Sequence, residues 1–341
     1  MSKNFKIMLV LVLGVLLALG GYYYQQQQKL KSPEYSLALL QTATAKHNWL
    51  KANERMDLDA LYVQAFDEVI TPQLVQLQNG VANDVVKDVL GRMRDNFVNA
   101  MVSYSKYALE ANDVSKIAPP EQIFARRFID ATHLPYCYIS KIHSATIKGK
   151  TATVTASLTN KLLAQEFPLS VTMEQLPDDT WKVIKVNKLP ELIAAMQKAQ
   201  EEKLVVVNEP LRQKIAQELT IKSSTFALTT RTEPWKATAF TYTPTFNFIS
   251  KQNIARFMGQ VEVLDKNGKV LYVQKYIEEG PFLAGSKQQI RFSWTLNPFQ
   301  GKEKALMELQ TKELNIRERI LSVSFADNST LQILDTLPNM K

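Results

Sequence analysis

The sequence contains one cysteine, Cys137, and three histidines in 341 residues. A single cysteine cannot form an intramolecular disulfide, and it cannot supply the several thiolates of a structural zinc cluster. Several catalytic motifs are also absent: the GxSxG nucleophile elbow, the HExxH metal motif, the phosphate-binding P-loop and the glycine-rich dinucleotide loop. These absences argue against the enzyme classes that carry such motifs.

The sequence has no concentrated basic stretch either, although its formal net charge is +8. Nucleic-acid-binding chains collect Lys and Arg on one face or along one helix. Here doublets such as Arg126–Arg127 are short, and acidic residues lie between the basic clusters. We therefore expect no nucleic acid among the partners, and only a weak attraction to anionic envelope polymers or lipid headgroups.

The N-terminal segment is the only long apolar run. Residues 7–24 are 18 in number and contain no charged side chain, which approaches the roughly 20 residues of a membrane span. Tyrosines at 22–24 are typical of the headgroup level, and a polar stem follows. This favours an uncleaved anchor over the alternative, a signal peptide cut after Gly20, which the small Ala18 and Gly20 would permit. We expect a single-pass protein of the cytoplasmic membrane, with its N-terminus inside and its bulk extracytoplasmic.

Helical signals dominate the next hundred residues. Ser32 and Pro33 fit the cap and first position of a helix. A second helix is predicted from Asp57, with a break or kink around Pro72. The clearest helix is predicted over 83–110, because apolar residues recur there at spacings of three and four. That stripe comprises Val86, Leu90, Met93, Phe97, Met101, Tyr104 and Ala108.

The period then changes to two residues, which predicts strands. Two hairpins with turns at 148–150 and 177–179 predict an antiparallel sheet that the preceding helices cover on one face. Residues 189–220 are predicted to form a connecting helix. After Ile221, short alternating segments such as "FTYTPTFNF" predict a β-sandwich, interrupted by a short helix in "KEKALMELQTKE".

Two resemblances follow from these segments. The stretch from "MDLDAL" to "DDTWKVIKVNKLPELI" resembles the cone-shaped α+β domains of the NTF2/cystatin-like superfamily. The segments "FTYTPTFNF", "VEVLDKNGKVL" and "VSFADNST" resemble immunoglobulin-like sandwich domains of bacterial surface proteins. The predicted fold class is α+β: an N-terminal transmembrane helix, helices packed on an antiparallel sheet, then a C-terminal all-β sandwich. The predicted divisions are an anchor at 1–24, a stem at 25–33, an NTF2/cystatin-like domain at 34–188, a connecting helix at 189–220 and an immunoglobulin-like sandwich at 221–341.

The candidate reactive side chains are few, and we expect structural roles for them. His133, Cys137 and His143 could supply metal ligands, but their spacing matches no zinc pattern, so a buried thiol in a strand is the preferred interpretation. His47 is expected on a helix. The acid pairs Asp57/Asp59, Asp67/Glu68 and Asp178/Asp179 invite a carboxylate mechanism, but caps and turns explain them better. We therefore predict no catalytic, cofactor-binding or metal-binding residue.

The functional expectation is a membrane-anchored, extracytoplasmic binding or scaffold protein without catalysis. Its expected partners are the lipid bilayer, through residues 7–24, and either other envelope proteins or a small apolar ligand. The NTF2 resemblance implies an apolar, cone-shaped pocket for such a ligand. Two alternatives stay open: an enzyme that uses this pocket to act on a small molecule, and an assembly component of an envelope secretion machine.

Overall fold

The structure is a computed structural model that describes residues 29–77, 83–111, 117–231 and 237–337. The chain divides into two compact units, residues 1–203 with 337–341, and residues 204–336. The division falls within one long helix, Leu189–Glu218. The two units are described separately below.

The first unit begins with helices whose caps follow from the sequence. The Ser32 hydroxyl accepts a hydrogen bond from the backbone N–H of Tyr35 at 3.1 Å, and the Asp57 carboxylate accepts one from Ala60 at 3.1 Å. Both predicted caps are therefore confirmed. The helices are α1 (Pro33–Ala45), α2 (Trp49–Asn53), α3 (Leu58–Ala65), α4 (Thr71–Leu77), α5 (Asn83–Glu110), α6 (Ile123–Thr132) and α7 (Leu189–Glu218).

A π-helix, Phe66–Ile70, joins α3 to α4. The sequence predicts a break or kink around Pro72, and the helix is indeed irregular in the turn directly before this proline, which is the second residue of α4. The helix is continuous across this segment, since the backbone N–H of Thr71 bonds the Phe66 carbonyl, and Pro72 has no N–H with which to continue the hydrogen-bond ladder. A π-helix adds a residue to the turn, and such segments are frequent at functional sites.

Four strands form an antiparallel meander in the order β1-β2-β3-β4. Its core lies against α1, whose Leu37 and Leu40 are 0% and 4% exposed, and includes the fully buried Val154 and Met173. The outer edge of β4 is covered because the backbone of Val183 exchanges hydrogen bonds with Arg55 and Asp57. The strands are β1 (Cys137–Lys148), β2 (Thr151–Asn160), β3 (Gln165–Gln175) and β4 (Trp181–Val186).

The second unit contains two further antiparallel sheets. One has the order β10-β6-β5 with β9 beside β6, and the other has the order β12-β11-β7-β8. Their common core is rich in aromatic residues: Phe240, Tyr242, Phe246 and Phe248 of β6 are fully buried. The elements are β5 (Leu219–Arg231), β6 (Ala237–Phe248), β7 (Ile254–Asp265), β8 (Val270–Phe282), β9 (Lys287–Gln289), β10 (Phe292–Thr295), α8 (Gly301–Met307), β11 (Leu314–Phe325) and β12 (Thr330–Gln332).

The aromatic ring of Tyr276 in β8 packs against the backbone of Gly259 in β7. Gly259 pairs directly with Tyr276, and a Cβ at Gly259 would lie 2.2 Å from the ring carbon Cζ of Tyr276. Tyr276 is 4% exposed and contacts the ring of Phe292 with a centroid distance of 4.4 Å. Only glycine therefore leaves room for this ring position.

A buried carboxylate joins β7 to β11. The Glu262 side chain is 5% exposed and accepts hydrogen bonds from the guanidinium groups of Arg317 and Arg319. Gln260 also donates to it at 2.8 Å. Burial alone would raise the pKa of Glu262, but the two guanidinium groups outweigh burial and lower the pKa below its ordinary value.

The predicted fold class is wrong as stated and needs correction. The observed architecture is α+β with three antiparallel sheets. The prediction included a transmembrane helix, yet no helix in the described ranges is both long enough and apolar enough to cross a membrane. The long helices α5 and α7 fail this requirement because charged residues recur along them. The predicted anchor, residues 7–24, lies outside the described residues.

The contact between Gly259 and Tyr276 generates a stability prediction. Gly259→Ala should destabilise the full chain by about 1–3 kcal/mol, because the added methyl overpacks a filled core. Chemical denaturation measures the change. In a Tyr276→Leu background the same substitution should cost clearly less, because the obstructing ring is gone. Equal costs in both backgrounds would contradict the assigned contact.

The lowered pKa of Glu262 generates a pH prediction. A carboxylate whose pKa is lower in the folded state stabilises the fold above its unfolded pKa, ordinarily 4.5, and that stabilisation is lost as the pH falls through the folded value. The denaturation midpoint of the second unit should therefore fall on acidification below this range. Glu262→Gln should be less stable at neutral pH and should show a shallower acid dependence. An unchanged acid slope in this variant would contradict the prediction.

Candidate functional site

The structure places several candidate residues in structural roles. Asp57 caps α3, and its carboxylate lies 3.4 Å from the Lys182 ammonium. In the predicted turn, the Asp178 carboxylate accepts hydrogen bonds from the hydroxyl of Thr180 and, at 3.0 Å, from its backbone N–H, and these bonds lower the pKa of Asp178. Asp59 is an exposed residue in the first turn of α3.

His47 does not lie on a helix, which corrects the sequence prediction. It occupies the turn between α1 and α2 with a φ of 53°, and its Nδ1 atom lies 2.9 Å from the carbonyl oxygen of Leu109. Two consecutive helices therefore replace the single predicted one, with Asn48 capping the second of them. The contact with Leu109 gives the imidazole a role in fixing α5.

His133, Cys137 and His143 serve separate positions rather than one site. His133 ends α6 in the left-handed conformation, with a φ of 47°, and burial lowers its pKa. The half-buried Cys137 begins β1, and burial raises the pKa of its thiol to about 12. The His143 Nε2 atom bonds the Ser157 hydroxyl at 2.9 Å. Among the described residues, no group of three His, Cys, Asp or Glu side chains could hold a metal ion.

The second acid pair lies on the π-helix and separates into two environments. Glu68 accepts from Gln64 at 3.0 Å and lies 3.4 Å from the Lys185 ammonium, so it joins the helices to β4. Asp67 faces α5 instead, where its carboxylate lies 3.8 Å from the guanidinium of Arg94. Asp67 also lines one of the two clefts described next.

Two clefts are lined in part by residues of the π-helix. The first, the Phe128 cleft, has a volume of about 270 Å³. The second, the Gly91 cleft, has a volume of about 230 Å³. The Phe128 cleft is lined by Val69, Ile70, Gln73, Leu74, Phe124, Arg127, Phe128, Ala131, Ile193 and Gln197. The Gly91 cleft is lined by Phe66, Asp67, Thr71, Leu90, Gly91 and Arg94.

The Phe128 cleft has an apolar floor and a polar rim. Its floor includes Ile70, Phe128 and Ile193, which are 8%, 8% and 4% exposed. Three exposed polar side chains line its rim: Gln73, Arg127 and Gln197. In the part of the chain that the structure describes, Arg127 has no ion-pair partner. A mostly apolar cavity with a few polar groups is the usual form of a small-molecule site.

The Gly91 cleft is lined by charged side chains of both signs, Asp67 and Arg94, and contains two local irregularities. One of its walls is the π-helix, and the other includes a glycine in the interior of α5. No heavy atom lies within 4 Å of the position that a Cβ on Gly91 would take, so no packing contact requires glycine there. The Nε atom of Arg94 is buried and has no hydrogen-bond partner.

Sequence reasoning missed both clefts. Arg127 was noted only as part of a basic doublet, and Leu90 only as part of an apolar stripe. The available signal was Gly91 itself, because an interior glycine lowers helix stability and calls for an explanation. For the π-helix the signal is Pro72, which predicts an irregular helix but not the form of the irregularity.

Comparisons with known proteins add no constraint. No protein-family model matches the chain, and no curated protein is significantly similar to it in sequence.

The open space at Gly91 generates a prediction. Gly91→Ala should stabilise the full chain by about 0.5–1 kcal/mol, because alanine favours a helix interior and meets no neighbouring atom. Thermal and chemical denaturation measure this change. Gly268→Ala is the matched control, since its Cβ would also meet no atom but its φ of +81° disfavours any side chain. Stabilisation by both substitutions, or by neither, would contradict the account.

Proposed function

We propose that this protein binds a small molecule without transforming it, and that the Phe128 cleft is the binding site. The ligand has an apolar body and one anionic group. The observation that carries the proposal is the pairing of a buried apolar floor with Arg127 at the rim, where the guanidinium has no ion-pair partner among the described residues. A carboxylate is the simplest group that pairs with such a guanidinium.

Apolar burial and the ion pair with Arg127 contribute unequally to the binding affinity, and this inequality sets the expected selectivity among ligands. Each methylene that the ligand buries on Ile70, Phe128 and Ile193 contributes about 0.8 kcal/mol. An ion pair with the exposed Arg127 contributes only about 1 kcal/mol, which is about a fivefold change in affinity. The apolar body therefore supplies most of the affinity, and the anionic group orients the ligand.

The proposal omits catalysis because the candidate reactive side chains already have structural roles or are held in an unreactive form. Asp57 caps a helix, Glu68 bonds Gln64, and the Cys137 thiol has a pKa raised to about 12. The described residues that line the Phe128 cleft include two glutamines and one arginine, none of which is an ordinary proton acceptor at neutral pH. The expected extracytoplasmic location and bilayer contact involve residues outside the described ranges, and they stay predictions.

The test uses three probes of one chain length: octanoate, octanol and octylammonium. Isothermal titration calorimetry of the full chain should give the highest affinity for octanoate and the lowest for octylammonium. Arg127→Gln should reduce the affinity for octanoate about fivefold, to that for octanol. Arg126→Gln is the matched control, because Arg126 is also exposed on α6 but does not line the cleft, so it should leave the affinity unchanged.

A second variant tests the apolar floor. Ala131→Leu adds bulk to a side chain that lines the cleft, and leucine is a good helix former. It should abolish binding of octanoate and octanol alike while the chain stays folded. Equal octanoate binding by the wild-type, Arg127→Gln and Ala131→Leu chains would contradict the proposed site. Chemical turnover of a probe would instead support the enzyme alternative.

A further inference from the structure

The Gly91 cleft has features that the proposed function does not use. An interior helix glycine without a packing reason, a π-helix and an unbonded guanidinium N–H all lie on this one cleft. Each of them opposes stability, because glycine weakens a helix and a buried donor without a partner loses its hydrogen bond. Several destabilising features at one place are expected at a functional site.

The charged groups of the cleft are close together but not hydrogen-bonded. Arg94 Nη1 lies 3.8 Å from Asp67 Oδ2, and Arg94 Nε lies 3.8 Å from Asp95 Oδ1. Both distances exceed a hydrogen bond, so neither carboxylate accepts one from Arg94, and its terminal Nη–H groups stay available to a ligand acceptor. Asp67 and Arg94 have 52% and 40% of their side-chain surface exposed, so a ligand in solvent can reach both.

The arrangement of these charges selects the class of ligand. A simple anion is attracted by Arg94 but repelled by Asp67 and Asp95, and a simple cation meets the reverse. A zwitterion satisfies both sides, because its carboxylate lies against Arg94 while its ammonium lies against Asp67. The two dipoles are then antiparallel, which is their favourable side-by-side arrangement.

We infer that the Gly91 cleft binds a small zwitterion of the α-amino-acid type. Its carboxylate accepts hydrogen bonds from the terminal Nη–H groups of Arg94, since the Nε atom is buried. Its ammonium donates to Asp67. The space that Gly91 leaves open accommodates the ligand side chain, with Phe66 and Leu90 offering apolar contact.

This inference is independent of the proposed function. The Phe128 cleft and the Gly91 cleft share no lining residue. The two ligand classes also differ, since octanoate lacks the ammonium that Asp67 would bind. Failure of one proposal therefore leaves the other standing.

The experiment compares leucine with two analogues that each lack one charge. Binding of leucine, N-acetylleucine and leucinamide to the full chain is measured by calorimetry and by saturation-transfer NMR. Leucine should bind at least tenfold more tightly than either analogue. Asp67→Asn should remove the preference over N-acetylleucine, and Arg94→Gln should remove the preference over leucinamide.

Two further variants separate binding from folding. Gly91→Leu should abolish leucine binding because its side chain occupies the open space, and circular dichroism should show a folded chain. Arg92→Gln is the matched control: Arg92 is exposed on the same helix, pairs with Asp88 at 2.6 Å and does not line the cleft. It should bind leucine as the wild type does.

Three results would overturn the inference. The first is the absence of leucine binding to the wild-type chain at concentrations where the analogues are soluble. The second is equal binding of leucine and N-acetylleucine, which would mean that Asp67 has no part. The third is unchanged leucine binding in a folded Gly91→Leu chain, which would place the ligand elsewhere.

Discussion

The ring of Phe97 is the contact on which the helical part of the first unit depends. It is fully buried in α5, and its centroid lies 6.3 Å from that of Tyr62, 5.7 Å from that of Phe66 and 5.7 Å from that of Phe128. One side chain thus joins α3, the π-helix and α6 to α5. Because Phe66 lines one cleft and Phe128 the other, the same ring supports both. Because the side chains around Phe97 are closely packed, the floor of one cleft has little freedom to move without the floor of the other.

The position of this helical layer relative to the sheet is set by Gln64. Its side chain donates to the Val186 carbonyl at 2.6 Å and accepts from the Val186 N–H at 3.0 Å, as an additional strand residue would. Residues 55 and 57 continue the pairing along β4 through their backbones. The sheet edge is therefore closed by the segment that leads into the π-helix, which stops unpaired strand groups from facing solvent. Gln64 lies two residues before the π-helix, so this attachment holds the start of the π-helix close to β4.

The sequence predicts local features of this architecture and misses those that depend on packing. The apolar stripe over 83–110 indicates α5, and Phe97 and Met101 are fully buried as such a stripe requires. Asp57 is recognisable as a cap because its partner lies three residues away. The approach of Arg94 to Asp67 arises between two helices, so no spacing within the sequence reveals it. The π-helix is an intermediate case, since Pro72 signals an irregularity in the helix but not its exact form.

Binding of a small apolar anion in the Phe128 cleft would involve three elements of the helical layer of the first unit: the segment 69–74, α6 and the start of α7. Hydrogen exchange of the full chain, followed by mass spectrometry with and without octanoate, locates binding directly, since ligands slow local opening of the backbone they contact. With octanoate bound in the Phe128 cleft, we expect slower exchange in peptides that cover residues 69–74, 124–131 and 193–197. Exchange in residues 254–265 of the second unit should not change. Slower exchange confined to the second unit, or no change at saturating octanoate, would contradict the proposal.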